Sequence, residues 1–173
     1  MKQDWYRQTT WNAEIESMFF TKLSRARKWN APQYLRIQAG LLLYASSDYF
    51  PSALMLTNKL FDEYPYANLD VMFAHCDLAD YYLKHGLYDK AREHYEIVNT
   101  YNNNHPNAKY NDSICEMGIA EIIIKQRKKD EYEYARRLLA EREKYYHIPF
   151  PFLTGEIKKW KSLVEQLEAL QQS

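Results

Sequence analysis

The sequence predicts an all-α protein of about eight helices, arranged as a right-handed superhelical stack of helix-turn-helix hairpins, an α-solenoid. Only 4 of the 173 residues are glycine and 6 are proline, so few positions interrupt a helix. Between these breakers, apolar residues recur at the spacing of amphipathic helices. The stretches IQAG (37–40), CDLA (76–79) and CEMG (115–118) recur every 39 residues (79 − 40 and 118 − 79). A fixed period of this kind is typical of stacked helical repeats.

The N-terminal region, residues 1–31, is predicted to form a capping helix. Ile15, Phe19 and Leu23 are four residues apart, so a helix over about residues 12–28 carries them on one face. Such a helix can cover the edge of a core while its opposite face stays polar. The segment is therefore expected to close one end of the stack.

Three hairpins follow, and each contains residues that start or stop helices. Pro32 opens the first hairpin, because its missing N–H falls in the first helical turn, where no partner is needed. Gly86 separates the two helices of the second hairpin, and Asp130 and Glu133 have the spacing of a capping box in the third. The predicted hairpins cover residues 32–65, 66–106 and 107–147. A capping helix at residues 152–173 completes a single repeat domain.

Small residues mark the predicted helix crossings. Each hairpin has one in its first helix and one in its second, at Gly40 and Ala53, Ala79 and Ala91, and Gly118 and Ala135. A residue without bulk lets two backbones approach each other. We therefore expect the two helices of each hairpin to cross at these positions.

The middle hairpin has small residues, aromatic residues and a turn glycine at a characteristic spacing. The positions are Ala79, Tyr82, Gly86, Tyr88, Ala91 and Tyr95. In this pattern the hairpin resembles the tetratricopeptide repeat (TPR), and the resemblance extends in divergent form over about residues 33–146. The N-terminal stretch DWYRQTTWNAEIESMFFTKLSRAR is similar to the start of bacterial repeat proteins.

The resemblance implies a binding role for the first helix of each hairpin. In that family the first helices line a concave groove that holds a peptide or a protein segment. Carried over by position, the middle hairpin presents Phe73, Cys76, Asp80 and Lys84 to the groove. The matching positions in the neighbouring hairpins are Ile37, Leu41, Cys115 and Ile119.

Charge is balanced overall but uneven along the chain. Lys plus Arg and Asp plus Glu each number 23, so the whole molecule has no net attraction for nucleic acid. Residues 37–83, by contrast, hold six acidic residues and one basic residue, a net charge of −5. This acidic middle segment favours a basic partner.

The sequence predicts a cytoplasmic protein without a membrane partner. No run of about 20 apolar residues could span a bilayer, and the N-terminus lacks the apolar core of a signal peptide. The 2 cysteines, Cys76 and Cys115, are too few for a disulfide framework. They are predicted to be reduced thiols packed in the interior.

Sequence motifs for catalysis are absent. There is no glycine-rich phosphate loop, G-x-S-x-G, H-E-x-x-H or C-x-x-C, so we predict no enzyme activity, cofactor, metal or small-molecule substrate. His75 and Cys76 point about 100° apart on a helix, which makes a shared metal difficult. Asp77 and Asp80 share a helix face, where a solvated acidic surface is favoured over a buried pair that shares a proton.

Tyrosine is the most informative residue type for function. Adjacent pairs among the 16 tyrosines, such as Tyr81 with Tyr82 and Tyr145 with Tyr146, cannot all face inward on a helix. Exposed tyrosine is enriched at protein interfaces, where it provides a large contact area with little loss of entropy. We predict a noncatalytic module that binds another protein through its groove or its acidic, tyrosine-rich face. The predicted partner-binding residues are Tyr66, Asp70, Phe73, Asp77, Asp80 and Lys84.

A narrower hypothesis is a bacterial immunity protein that neutralises a basic toxin or nuclease by covering its active site. Two hypotheses from other classes stay open. A regulatory sensor or adaptor domain would act through a separate output module. An RNA-binding helical repeat would stack its tyrosines on bases, although the balanced charge disfavours nucleic acid. Its phosphate contacts would be Arg25, Arg27, Lys28, Arg36 and the basic run at 125–129.

Overall fold

The computed structural model describes residues 4–107, 112–146 and 154–172, and over these ranges the chain is helical without β-strands. This confirms the all-α prediction with its eight helices. The helices are α1 (Ala13–Leu23), α2 (Ala31–Ala45), α3 (Phe50–Glu63), α4 (Asn68–Lys84), α5 (Tyr88–Asn104), α6 (Asp112–Gln126), α7 (Tyr132–Tyr146) and α8 (Thr154–Gln171). Short 3-10 turns, Ser47–Tyr49 and Lys129–Glu131, precede α3 and α7.

Two compact units divide the chain, Met1–Tyr81 and Tyr82–Ser173. The division falls within α4, so the first unit holds α1, α2, α3 and most of α4, and the second holds the end of α4 with α5 to α8. The single repeat domain over residues 1–173 stays a prediction. Its internal boundaries at residues 147 and 152 lie outside the described residues.

In the first unit, α2 and α3 pack against each other as a hairpin. Pro32 lies in the first turn of α2, as its sequence position predicts. Leu35 and Leu42 of α2 and Leu56 and Leu60 of α3 are fully buried. Each buried leucine contributes about 2 kcal/mol through the removal of apolar surface from water, so the hairpin has a strong apolar centre.

Helix α1 is shorter than predicted and ends at Leu23. Asn12 caps its start, because the Asn12 side chain accepts a hydrogen bond from the Ile15 N–H at 2.9 Å. Beyond Leu23 the backbone changes to three-residue turns, in which the Arg25 N–H donates to the Lys22 carbonyl oxygen at 3.2 Å. This change of hydrogen-bond pattern ends the helix.

The N-terminal segment is attached to α2 by aromatic contacts and by two hydrogen bonds. The rings of Trp5 and Tyr6 lie against Tyr34 with centroid distances of 4.9 and 4.4 Å. The Gln8 N–H donates to the side-chain oxygen of the buried Gln38 at 2.9 Å, and Gln38 Nε2 donates back to the Gln8 carbonyl oxygen at 2.7 Å. Gln38 is therefore a satisfied polar residue within the first unit.

Helices α2 and α4 run in the same direction in the first unit. Arg36 of α2 pairs with Asp70 of α4 at 3.2 Å. One turn further along α2, Gly40 lies against Asp77 of α4. Because the residue numbers of the contacting pairs increase together, the two helices are parallel.

In the second unit, α6 is the central helix and packs against α5, α7 and α8. Ile119 and Ile122 are buried on one side of α6, and Ala120 and Ile124 are buried on another. A helix that is covered on more than one side has no continuous polar face. This explains why five of the six residues in its stretch IAEIII (119–124) are apolar.

Helix α5 extends to Asn104 and so includes the three asparagines of the polar stretch NNNHP. Asn99 and Asn102 are buried within it, and Asn99 Nδ2 donates a hydrogen bond to the Tyr134 hydroxyl at 3.3 Å. Asparagine favours turns when its side chain competes for local backbone groups. Here the tertiary contacts of these amides override that preference.

Gly40 and Gly118 each lie against a side chain of a helix other than the second helix of their own hairpin. A Cβ at Gly40 would lie 3.1 Å from Asp77 Oδ2 on α4, and a Cβ at Gly118 would overlap the ring of Tyr95 on α5. The partner helices of their predicted hairpins are α3 and α7. These two glycines therefore make room for side chains of α4 and α5, and the predicted crossings of the hairpin helices stay a prediction.

Helices α4 and α6 are followed by turns of the same geometry, in which Gly86 and Arg127 have left-handed backbone conformations. Gly86 has a φ of 73°, which confirms its predicted role as a helix stop. Arg127 has a φ of 51°, and the N–H of Lys128 donates to the Ile123 carbonyl oxygen at 3.2 Å. This pattern is a Schellman motif, whose left-handed residue is usually glycine. Arg127 adopts that conformation with steric strain.

We expect Arg127→Gly to raise the free energy of unfolding by about 1 kcal/mol, because glycine has no Cβ to clash in the left-handed region. Chemical denaturation midpoints of wild type and variant measure the change. Gly86→Ala is the matched change in the opposite direction and should lower the free energy of unfolding by about 1 kcal/mol. A lower midpoint for Arg127→Gly would contradict this description of the turn.

Helix α7 begins later than its predicted capping box. Asp130 lies inside the 3-10 turn Lys129–Glu131, and the helix starts at Tyr132. The prediction that Asp130 and Glu133 cap this helix is therefore wrong. The 3-10 turn contains Asp130, where the N-cap was predicted, and Glu133 lies in the first turn of α7.

Tyr81 and Tyr82 are both buried, although they are adjacent in α4. Tyr81 stacks on Phe50 in the first unit, with a centroid distance of 4.5 Å. Tyr82 stacks on His94 in the second unit, at 5.7 Å. Each ring has its own aromatic partner, so the expectation of an exposed member is wrong for this pair. The side chains of Tyr145 and Tyr146 lie outside the described residues.

Candidate functional site

The parallel helices of the first unit bring together most of the predicted partner-binding residues. Three of the residues, Arg36, Gly40 and Tyr44, are spaced by four along α2. The residues from α4 are spaced by three or four, so each set lies on one side of its helix. We call this surface the α2–α4 face, and its residues are Arg36, Gly40 and Tyr44 of α2 and Asp70, Phe73, Asp77 and Asp80 of α4.

One end of the α2–α4 face holds an ion pair. Arg36 Nε lies 3.2 Å from Asp70 Oδ1, and the Arg36 guanidinium lies 5.2 Å from the centroid of the Phe73 ring. Arg36 thus contacts a carboxylate and an aromatic face at the same time. The charge of Asp70 is already compensated within the protein.

The carboxylate of Asp77 occupies the centre of the face. It rests against α2 at Gly40, where the missing side chain leaves room for it. Burial raises the pKa of Asp77 to about 6, while Arg36 lowers this pKa and Asp80 raises it further. Asp77 is half-buried, so the solvated acidic surface that the sequence favoured is only partly present at this residue.

Tyr44 follows Gly40 by one turn of α2 and stays accessible. Its side chain is 59% exposed. Burial of the hydroxyl, followed by the charges of Asp77 and Asp80, raises the pKa of Tyr44 to about 12. The phenol is therefore neutral at physiological pH, and its accessible ring lies in the field of two acidic groups. Aromatic rings and carboxylates in this arrangement attract cations.

The predicted partner-binding residues separate into two groups. Asp70, Phe73, Asp77 and Asp80 belong to the α2–α4 face. Tyr66 lies in the turn before α4 and is 61% exposed, with its ring at an edge contact 6.2 Å from Tyr64. Lys84 is an exposed residue in the last turn of α4, in the second unit. These last two are accessible but lie outside the face.

No relative assigns an activity to this face, because comparisons with protein-family models, curated proteins and solved structures each found no match for the chain. Within the described ranges, no group of three His, Cys, Asp or Glu side chains could hold a metal ion. In that same part of the chain, no helix is long and apolar enough to cross a membrane.

Several of the groove positions implied by the repeat resemblance are interior residues. Cys76, Cys115 and Ile119 are buried, so they cannot line an open groove. Ile37 and Leu41 are half-buried. Neither cysteine forms a disulfide, which confirms the prediction of reduced, packed thiols.

Three exposed apolar residues of the first unit are absent from the predicted site, namely Trp29, Tyr44 and Leu69. Tyr44 could have been found, because it lies two turns after Arg36 and one turn after Gly40 on the same side of α2. Trp29 and Leu69, at 71% and 50% exposure, lie just before α2 and in the first turn of α4. Neither has a sequence signal that separates it from an ordinary core residue.

Proposed function

We propose that this protein is a noncatalytic protein-binding module that docks a partner protein over the α2–α4 face of its first unit. The observation that supports this proposal is the set of large apolar side chains exposed in the first unit, with Tyr44 on this face and Trp29, Tyr66 and Leu69 elsewhere in the same unit. Among the described residues of the second unit, only Leu87 and Ile97 are large apolar side chains of comparable exposure. Tyrosine and tryptophan are the residue types that most often anchor protein interfaces.

We also propose that the helices form a TPR-like, right-handed stack of hairpins. In the first unit, the parallel course of α2 and α4 supports this arrangement, because helices in equivalent positions of stacked hairpins run in the same direction. In the second unit, Arg92 of α5 pairs with Glu131 and Asn99 contacts Tyr134 of α7. Helices α5 and α7 are therefore parallel as well, which supports the same proposal.

A narrower form of the proposal is a cytoplasmic immunity protein of bacteria that neutralises a basic toxin or nuclease. The net charge of −5 over residues 37–83 would accelerate its association with such a partner. The RNA-binding alternative has less support, because two of its proposed phosphate contacts are engaged elsewhere. Arg36 pairs with Asp70, and Lys125 pairs with Glu121 at 3.0 Å.

Affinity capture with matched variants tests the docking proposal. The tagged full-length protein, incubated with a nuclease-treated extract of its native cells, should retain one protein in stoichiometric amount. A Tyr44→Ala, Tyr66→Ala double variant should reduce the captured amount at least about tenfold, as expected when interface anchors are removed. The control is a Leu87→Ala, Ile97→Ala variant, which removes exposed apolar side chains from the second unit. Equal capture by both double variants and wild type would refute docking on this face.

A further inference from the structure

We propose that the end of α1 and the turn that follows it bind single-stranded nucleic acid, with one base stacked on Trp29 and the phosphates held by four basic side chains. We call this surface the basic turn, and its residues are Lys22, Arg25, Arg27, Lys28 and Trp29. It is separate from the α2–α4 face and does not depend on docking there. It keeps three residues of the RNA-binding hypothesis, Arg25, Arg27 and Lys28, and none of the engaged ones.

The backbone of the basic turn is held in place from both sides. Leu23, near its start, and Ala31, just after its end, are buried in the core of the first unit. Between them, the Asn30 N–H donates a hydrogen bond to the Arg27 carbonyl oxygen at 2.8 Å, which closes a tight turn over residues 27–30. A surface that is fixed before binding loses little conformational entropy when a ligand arrives.

Positive charge is concentrated on this surface and is not compensated within it. Residues 22–29 include four basic and no acidic residues, a net charge of +4 (4 − 0), and all four basic residues are exposed. Within the described part of the chain, no ion pair or side-chain hydrogen bond holds Lys22, Arg25 or Lys28. Exposed cations without carboxylate partners attract phosphate groups.

Trp29 gives the basic turn an aromatic surface. Its side chain is 71% exposed. The Arg27 guanidinium lies 5.7 Å from the centroid of the Trp29 ring, so a cation and an open aromatic ring are contiguous on the same turn. A nucleobase of any identity can stack on such a ring, because every base has a π face. The pair can therefore hold a base and its neighbouring phosphate together.

Two further cations extend the site along α1. Lys22 and Arg25 line one shallow hollow on the outside of this helix, together with the small polar residues Ser17 and Thr21. Glu14 lines the same hollow two turns before Lys22 and marks its acidic end. A strand stacked on the ring thus has a path for its next phosphates over Arg25 and Lys22.

The acidic residues of the α2–α4 face do not cancel this positive charge. Asp70, the nearest of them to the start of α2, is already paired with Arg36. Asp77 lies against Gly40, which is nine residues (40 − 31) beyond the first residue of α2. Nine helical residues span about 14 Å, whereas charges in water are screened over about 8 Å at physiological ionic strength. The basic turn therefore attracts anions locally, although the whole molecule has no net charge.

Other anionic partners fit this surface less well. The carboxylates of an acidic protein segment would be repelled by the face of the Trp29 ring, which carries partial negative charge. An anionic membrane would find one apolar side chain to bury, because the neighbouring Lys28 and Asn30 are polar, and a single small anchor gives marginal binding. Duplex nucleic acid keeps its bases stacked on one another. A single strand is the occupant that satisfies both the cations and the ring.

Fluorescence anisotropy of the full-length protein with a labelled oligoadenylate tests the site. Trp29→Ala and the double variant Arg25→Gln, Lys28→Gln should each weaken binding about tenfold or more. For wild type, the logarithm of the association constant should fall with the logarithm of salt concentration with a slope of roughly −3, as expected for four phosphate contacts on a single strand. The double variant should roughly halve that slope. Binding that neither variant changes would overturn the proposal.

A matched control separates the site from diffuse attraction. Lys158→Gln, Lys161→Gln removes two exposed cations from α8 in the second unit and should bind the oligoadenylate as wild type does. If this control weakens binding as much as Arg25→Gln, Lys28→Gln does, general electrostatics explain binding and the site is refuted.

Three further probes identify the class of ligand. An oligodeoxyadenylate of equal length should bind with similar affinity, because the phosphates and the base face are common to RNA and DNA. An oligoglutamate peptide and phosphatidylglycerol vesicles should bind much more weakly. Binding of either one that is as tight as that of the oligoadenylate, and equally sensitive to Trp29→Ala, would overturn the nucleic-acid proposal. The captured partner protein takes no part in these measurements, so their failure would leave docking on the α2–α4 face untouched.

Discussion

The Asp77→Asn variant is expected to be more stable than wild type by about 2 kcal/mol at about pH 8. Burial raises the pKa of Asp77 from its usual value of 3.8 to about 6. The ionised carboxylate is therefore disfavoured in the folded state, and each unit of pKa difference corresponds to about 1.4 kcal/mol. Asparagine keeps the shape of the side chain and removes its charge. Denaturation of both proteins at several pH values measures the difference.

The pH dependence of this difference has a definite sign. Because the folded pKa of Asp77 is raised, its contribution to stability is fully present below about pH 4 and is lost as the pH rises through about 6. Wild type and Asp77→Asn should thus converge at about pH 4 and separate above about pH 6. Asp62→Asn, on the exposed side of α3, should change stability by less than about 0.5 kcal/mol. Equal stability of wild type and Asp77→Asn at about pH 8 would show that the ionised Asp77 carboxylate does not destabilise the folded protein.

This result would also link stability to function. The half-buried Asp77 carboxylate would destabilise the folded protein when it is ionised. Functional sites retain such groups, whereas a core optimised for stability lacks them. The same Asp77→Asn change that stabilises the protein should weaken the docking of a basic partner on the α2–α4 face.

The Gly118→Ala variant is expected to lose about 3 kcal/mol of stability, because its new methyl group would overlap a buried ring. Three atoms of the Tyr95 ring would lie too close to a Cβ at residue 118 for a normal non-bonded contact, and the most distant of them, Cδ2, would be 2.9 Å away. Tyr95 is fully buried, so its ring cannot move without displacing its neighbours in the second unit. Thermal or chemical unfolding measures the loss.

Two further variants separate this overlap from a general effect of alanine. Gly155→Ala places the same methyl group in α8, where no atom lies within 4 Å, and should be neutral or stabilising by up to about 1 kcal/mol. Tyr95→Leu in the Gly118→Ala background removes the ring and should recover part of the loss. A Gly118→Ala protein as stable as wild type would show that α5 and α6 do not approach as described.

Local sequence features predicted the helices well, because helix starts and stops depend on nearby residues. Pro32 and Gly86 have the predicted roles at the start of α2 and after the end of α4. The errors arose where distant contacts decide the conformation. Asn102 is buried and keeps α5 helical through a polar stretch, and Arg127 occupies a left-handed position that sequence rules reserve for glycine.

The candidate site could be predicted only in part for the same reason. Asp70, Phe73, Asp77 and Asp80 share a face of one helix, so their spacing was sufficient to group them. Tyr44 and Gly40 join that group from α2, more than 25 residues earlier in the chain. Their contribution depends on the parallel packing of two helices, which no local pattern specifies. The burial of Asp77 depends on the same packing.

The most direct test of the docking proposal is the dissociation constant of the captured partner protein, measured by calorimetry for wild type and the two double variants. The proposal predicts that the Tyr44→Ala, Tyr66→Ala protein binds at least about tenfold more weakly than wild type. The Leu87→Ala, Ile97→Ala protein should bind as wild type does. Weakened binding by the second variant with normal binding by the first would place the interface on the other unit and contradict docking on the α2–α4 face.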